Sequence, residues 1–109
     1  MANTFKNKVK NGQNTSANSL MSVYTVPAST TTVVLSINLC NTSSSQINVH
    51  IKLVADQTGY LGYNIPIPAQ SAFEFMAGNK TIMQTGNTLQ VSSNSANSLD
   101  TIMGIMEQT

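Results

Sequence analysis

The sequence predicts an all-β fold: a single-domain antiparallel β-sandwich, jelly-roll-like, of seven to eight short strands. Three observations carry that expectation. Apolar residues recur at every second position over two long stretches, 31–41 and 47–53, the period of a strand with one buried face. Clusters of Gly, Pro, Asn, Asp and Ser punctuate the chain at short intervals, as in sandwiches and jelly rolls. No segment holds apolar residues at helical spacing between good caps. With 109 residues, the chain can build one core and no second domain.

Residues 1–19 read as an N-terminal arm or edge strand, with Phe5 and Val9 as their apolar anchors. The β-sandwich domain then occupies 20–109. Residues 20–26 lean to β and stop at Pro27-Ala-Ser29. In 31–41, Val33, Leu35, Ile37 and Leu39 share one face, and Thr32, Val34, Ser36, Asn38 and Cys40 share the other. After the turn cluster Asn41-Thr-Ser-Ser-Ser45, Ile47, Val49, Ile51 and Leu53 alternate with Gln46, Asn48, His50 and Lys52. Two such runs joined by a polar turn predict an antiparallel hairpin. A turn at Asp56-Gln-Thr-Gly59 leads into 60–65, and the alternate prolines Pro66 and Pro68 mark an edge.

Residues 72–77 are expected to bury Phe73 and Phe75 with Glu74 outward, before a Gly78-Asn79 turn. Residues 80–84 form a short strand around Ile82. Thr85-Gly-Asn87 turns again, and 88–93 point Leu89 and Val91 inward. The last segment, 99–107, reads as a strand because Gly104 sits inside it and strands surround it, with a C-terminal helix through Leu99, Ile102, Met103 and Met106 as the alternative. It is apolar on both faces: Leu99, Met103 and Ile105 on one, Ile102 and Met106 on the other. One face fills a core and the other needs a cover. That cover is either the N-terminal arm or another sheet of the same chain, or a neighbouring subunit, for which Phe5, Val9, Ile102 and Met106 are the candidate assembly contacts.

Charged residues make up only 8% and the net charge is +1, while Asn, Ser, Thr and Gln account for 46 of the 109 residues. Polarity comes from amides and hydroxyls. Lys6, Lys8 and Lys10 lie together, and the rest holds two lysines against four acids with no arginine. That pattern argues against nucleic-acid binding, which needs a basic surface. The longest aliphatic runs are three residues, such as Val33-Val34-Leu35, so no membrane partner is expected. The N-terminus has no apolar stretch of a secretory signal. The sequons at Asn14, Asn41 and Asn79 read as chance matches in an Asn/Ser/Thr-rich chain.

Catalysis has few candidates. One His and one Cys cannot supply a zinc site, and a lone Cys cannot close an internal disulfide. His50 alternates with Asn48 and Lys52 on a polar strand face, and Cys40 lies on the outward face of its strand. Asp56, Glu74, Asp100 and Glu107 show no spacing that pairs two of them for acid–base work. No enzyme activity, cofactor or metal is expected. Tyr60 and Tyr63, flanking Gly62, are candidate sugar contacts, because tyrosine faces among amides can stack and hydrogen-bond a glycan.

An ordered series of segments adds to this reading. Tyr24-Thr-Val-Pro-Ala-Ser29, residues 30–39, Asn41-Thr-Ser-Ser-Ser45 and residues 47–53 are followed by Ile65-Pro-Ile-Pro-Ala-Gln-Ser71, Gly78-Asn-Lys80, Gln84-Thr-Gly-Asn87, Val91-Ser-Ser93 and the stretch from Ser98-Leu-Asp100 to Met106-Glu107. The series, covering about residues 20–107, resembles small virion structural proteins of tailed phages, particularly phages of marine bacteria. It departs from that pattern at turns: glycine is expected where Ser29 and Gln70 stand, and an acid where Asn87 stands. The resemblance implies a non-enzymatic, multicopy particle component made in the host cytoplasm and located in the virion. Its partners would be capsid, neck or tail proteins and copies of itself. An accessory protein that decorates or cements the capsid is the leading expectation, and a neck or tail component the next. A glycan-binding or host-adhesion module, resting on Tyr60 and Tyr63, is the rival from another class.

Overall fold

A computed structural model describes residues 2–13, 15–76 and 79–109, and among these residues the chain forms nine strands and no helix. Asn14, Ala77 and Gly78, on which the first sequon and the Gly78-Asn79 turn were placed, lie outside the described residues. The strands are β1 (Asn3–Lys10), β2 (Met21–Thr25), β3 (Thr31–Asn41), β4 (Ile47–Val54), β5 (Thr58–Ile67), β6 (Ala72–Glu74), β7 (Thr81–Met83), β8 (Thr88–Ser93) and β9 (Leu99–Gln108).

They make two antiparallel sheets. The first runs β1-β9-β3-β6, with β7 also on β3, and the second runs β2-β8-β4-β5. β6 pairs with Asn38, Leu39 and Cys40, and β7 with Thr32, Val33 and Val34. They are two pieces of one interrupted strand along β3. Counted as one, they give strand orders 1-8-3-6 and 2-7-4-5, the jelly-roll arrangement. Val34, Ile37, Leu39, Met103 and Ile105 from the first sheet meet Ile47, Val49, Ile51, Ile67, Leu89 and Val91 from the second, all fully buried or nearly so. Each contributes about 1.5–3 kcal/mol by leaving water.

Residues 31–41 and 47–53 do not form a hairpin. β3 lies in the first sheet and β4 in the second, so Asn41–Ser45 is an arch across the core. The Asn41 side chain builds it. Its amide nitrogen donates to the carbonyls of Ser45, Ile67 and Pro68 at 2.8–3.0 Å, and its oxygen accepts from the backbone and hydroxyl of Ser43. A completely buried amide thus satisfies carbonyls from separate segments, which a buried polar group requires. Alternation is the same whether two strands lie side by side or face each other, so periodicity could not separate the two.

The buried face of β3 also changes phase. The register with β9 shifts between Val34 and Ser36, a bulge that leaves Leu35 as an extra residue. Thr32 and Val34 point inward before it, and Ile37, Leu39 and Asn41 after it. Val33 and Leu35 are only half-buried. Gly104 of β9 fits here: a Cβ would stand 2.7 Å from the Ser36 hydroxyl oxygen, which accepts the Gly104 N–H at 3.1 Å.

Two short strands also reverse their expected sides. Phe73 and Ile82 are exposed, Phe75 is half-buried, and Met76 and Met83 take the core positions. Glu74 does not simply face water. Its carboxylate accepts the backbone N–H groups of Ile37 and Met76, which the interruption between β6 and β7 leaves without ladder partners. β5 is an edge strand containing Pro66, as the prolines indicated.

The N-terminal segment is integral to the sandwich. β1 pairs with β9 over eight residues, from Asn3↔Gln108 to Lys10↔Thr101, and is the first strand of the jelly roll. The connection to β2 is fastened to the β8–β9 turn. Gly12 N–H donates to Asp100, Thr15 and Asn97 exchange two hydrogen bonds, and Asn18 N–H donates to the Ser93 carbonyl.

Candidate functional site

In an antiparallel ladder, directly opposed residues point to the same face. β9 turns Leu99, Thr101, Met103, Ile105 and Glu107 inward, which leaves Ile102, Gly104 and Met106 outside. Val9 opposes Ile102, and Phe5 opposes Met106. Met106 in turn opposes Val33, and Val33 opposes Ile82. The outer face of the first sheet therefore carries an apolar row, Phe5–Met106–Val33–Ile82, across four strands, with Val9–Ile102 alongside. Phe5 is 72% exposed, Ile82 62%, Val9 61% and Ile102 44%. All four residues expected to make assembly contacts fall on this one face. Val33 and Ile82 join them, and sequence reading singled out neither as an outer-face residue.

β1 is inverted relative to an ordinary strand. Its apolar residues point outward, and Lys6, Lys8 and Lys10 oppose the inward-facing Ile105, Met103 and Thr101. At the rim of the sandwich Lys6 and Lys8 find partners. Lys6 Nζ lies 2.8 Å from Glu107, whose side chain is almost completely buried. Lys8 Nζ sits 5.7 Å from the centroid of the Tyr24 ring, within reach of a cation–π attraction. The Tyr24 hydroxyl donates to Glu107 and is 2.8 Å from the Thr32 hydroxyl. This cluster ties β1, β9 and β3 of the first sheet to β2 of the second. Burial, then the bond to Glu107, pushes the Tyr24 hydroxyl up to about 12. The Lys6 ammonium, then the Tyr24 hydroxyl, holds the Glu107 carboxyl below its ordinary value.

The outer face of the second sheet differs. His50 lies 4.4 Å from Tyr63 and 5.8 Å from Tyr60 between ring centroids, and the two tyrosines are 4.9 Å apart. Lys52 Nζ stands 5.7 Å from the Tyr60 centroid. The sequence-predicted pair Tyr60 and Tyr63 is thus brought together with His50, which sequence reading had left as an isolated strand histidine.

The remaining chemistry-bearing groups are held in structural roles. Asp56 accepts the next residue's N–H, Asp100 the Gly12 N–H, and Glu74 two backbone N–H groups. Cys40 is a half-buried free thiol opposite Asp100. Among the described residues no three His, Cys, Asp or Glu side chains come together. Compared with known proteins, the sequence matches no family model and no curated protein.

Proposed function

We propose that this protein is a non-enzymatic structural subunit of a phage particle, present in many copies and decorating or cementing the capsid exterior. The resemblance of residues 20–107 supplies the class. The observation that carries the mechanism is the apolar row on the first sheet. Its residues do not serve the chain's own core, and β1 spends its inward side on lysines while displaying Phe5 and Val9. A neighbouring particle subunit is the occupant this reading assigns to that face. Each exposed side chain covered there gains on the order of 1 kcal/mol, and repetition over a symmetric particle multiplies a weak contact. Jelly rolls serve as both capsid and lectin domains, and the fold is compatible with this reading.

The test uses particles of the phage that encodes the chain. The protein should remain with particles through density-gradient purification and occupy repeated external capsid positions by electron cryomicroscopy. Phe5→Asp and Ile102→Asp should lower occupancy while leaving the monomer's melting temperature nearly unchanged. Absence of the chain from purified particles would overturn the reading.

A further inference from the structure

The second sheet's outer face carries a built feature that the particle reading does not use. The register of β4 with β5 steps between Val49↔Ile65 and Ile51↔Gly62, so Tyr63 and Asn64 together oppose His50. Asn64 takes a left-handed backbone, φ 56°, and its N–H donates to Nδ1 of His50 at 2.9 Å. With Nδ1 accepting, the neutral ring carries its proton on Nε2 and retains a free donor there. The bulge therefore fixes the imidazole and places Tyr63 against it, yet Tyr60 stays 52% and Tyr63 68% exposed.

The surroundings narrow the ligand class. Among the described residues, Tyr60 and Tyr63 are the exposed large apolar side chains on the four strands of this sheet. Their neighbours on β4, β8 and β2 are Asn48, Gln90 and Ser22, with Lys52 as the adjoining cation. A protein partner would be better met by aliphatic side chains; among the described residues none is exposed on the four strands of this sheet, and half-exposed Leu20 stands just before β2. The rings stand at 39–78° to one another, and an exposed tyrosine ring beside amide, hydroxyl and imidazole groups suits a pyranose, whose C–H face stacks on one ring while its hydroxyls meet those groups. Tyr60 also lines a depression of about 320 Å³ with Leu53, Asp56 and Gln57, giving a second sugar ring a place beside the first.

We infer that His50, Tyr60 and Tyr63 form a saccharide-binding platform for pyranoses with equatorial substituents. This inference goes beyond the particle reading and stands if that reading falls. The full-length ¹⁵N-labelled chain is titrated with cellotriose and with N,N′,N″-triacetylchitotriose by NMR. Expected is saturable binding of at least one trisaccharide, with shifts centred on His50, Tyr60 and Tyr63. Tyr63→Ala should weaken it about tenfold or more, the loss of one good stacking contact, with the melting temperature preserved. Tyr63→Phe should keep most of it, and Phe5→Ala on the opposite sheet should leave it unchanged. No saturable binding of either sugar up to about 10 mM, the affinity range of single weak sites, overturns the inference. So do shifts that map to another face, or binding that survives both Tyr63→Ala and Tyr60→Ala. Should Tyr63→Ala fail to fold, the wild-type shift map and Tyr60→Ala decide.

Discussion

The two sheets share a core but turn different chemistry outward. The first displays an aliphatic and phenyl row built from opposed residues on four strands. The second displays two tyrosines and a histidine around a bulge, set among amides and hydroxyls. The difference matches the two proposed modes of recognition. An aliphatic row gains by excluding water over its whole length and suits a protein surface. An aromatic cluster with polar neighbours gains by stacking and directed hydrogen bonds and suits a small polar ligand.

The largest expected effect comes from removing β1. Deleting residues 2–12 takes Phe5 and Val9 from the outer row and uncovers the β9 edge beside Met103 and Ile105. The melting temperature should fall by about 10 °C or more, since each kcal/mol is worth roughly 4–8 °C in a domain near this size. An unchanged melting temperature would mean that β1 is a detachable arm.

Adjacent residues of β9 sharpen the contrast between inside and outside. Met103→Ala should destabilise by about 2–5 kcal/mol, because the site is fully enclosed. Ile102→Ala should change stability by less than about 1 kcal/mol, as for an exposed position. Denaturant titrations of both variants check this, and equal losses would show that Ile102 is covered within the monomer.

Glu107→Gln tests the cluster that joins the faces. It removes the Lys6 ion pair and weakens the bond from Tyr24, and should lower stability by about 1–3 kcal/mol. Half-exposed Lys6 contributes the smaller part, because solvent screens it. The wild type's advantage should be complete above the ordinary glutamate value and fade as pH falls through the depressed folded value of Glu107. Tyr24 acts at the other end: its contribution is complete below pH 10 and is lost as pH rises through about 12. A variant whose difference from wild type does not vary with pH would exclude the cluster as its source.

The smallest expected effect is a gain. Ser29 and Gln70 both adopt φ 55°, a left-handed backbone that favours glycine. These are the two turn positions at which glycine was expected. Ser29→Gly and Gln70→Gly should each stabilise by up to about 1 kcal/mol, the relief of strain exceeding the added freedom of the unfolded chain. A loss in thermal melts would mean that the side chains contribute contacts of their own.

The sequence was most informative where one physical rule acted alone. Alternation identified β4, β8 and β9, and the prolines marked the β5 edge; Ser29 and Gln70, where the resemblance implies glycine, have positive φ. It was less informative where a long-range partner decided the outcome. Asn41 reads as a turn residue, and only the carbonyls of Ile67 and Pro68 turn it into the keystone of an arch between sheets. The bulge at Leu35 depends on β9 and reverses the side of every earlier residue in β3, so the outward position of Val33 was not legible. Phe5, Val9, Ile102 and Met106 were legible as candidates because each stood apolar without an evident core role. Their meeting on one face required the register of β1 on β9. Tyr60 and Tyr63 were legible by type, whereas His50 joined them through a backbone N–H that no side-chain pattern announces.

The inward lysines of β1 bear on how this protein behaves at high concentration. With charged residues at 8% and a net charge of +1, long-range repulsion between copies is weak, and an all-β chain in that condition is exposed to runaway strand addition. β1 offers an eight-residue edge with neither bulge nor proline. A strand arriving there would extend the sheet over Lys6, Lys8 and Lys10 and strip water from ammonium groups that now reach it at the rim, the effect by which inward-pointing charges blunt an edge. Exchanging these lysines for valine or threonine would raise the strand's intrinsic preference for β structure while removing that barrier. The lysine ridge thus opposes strand addition at β1, independently of what meets the outer apolar face.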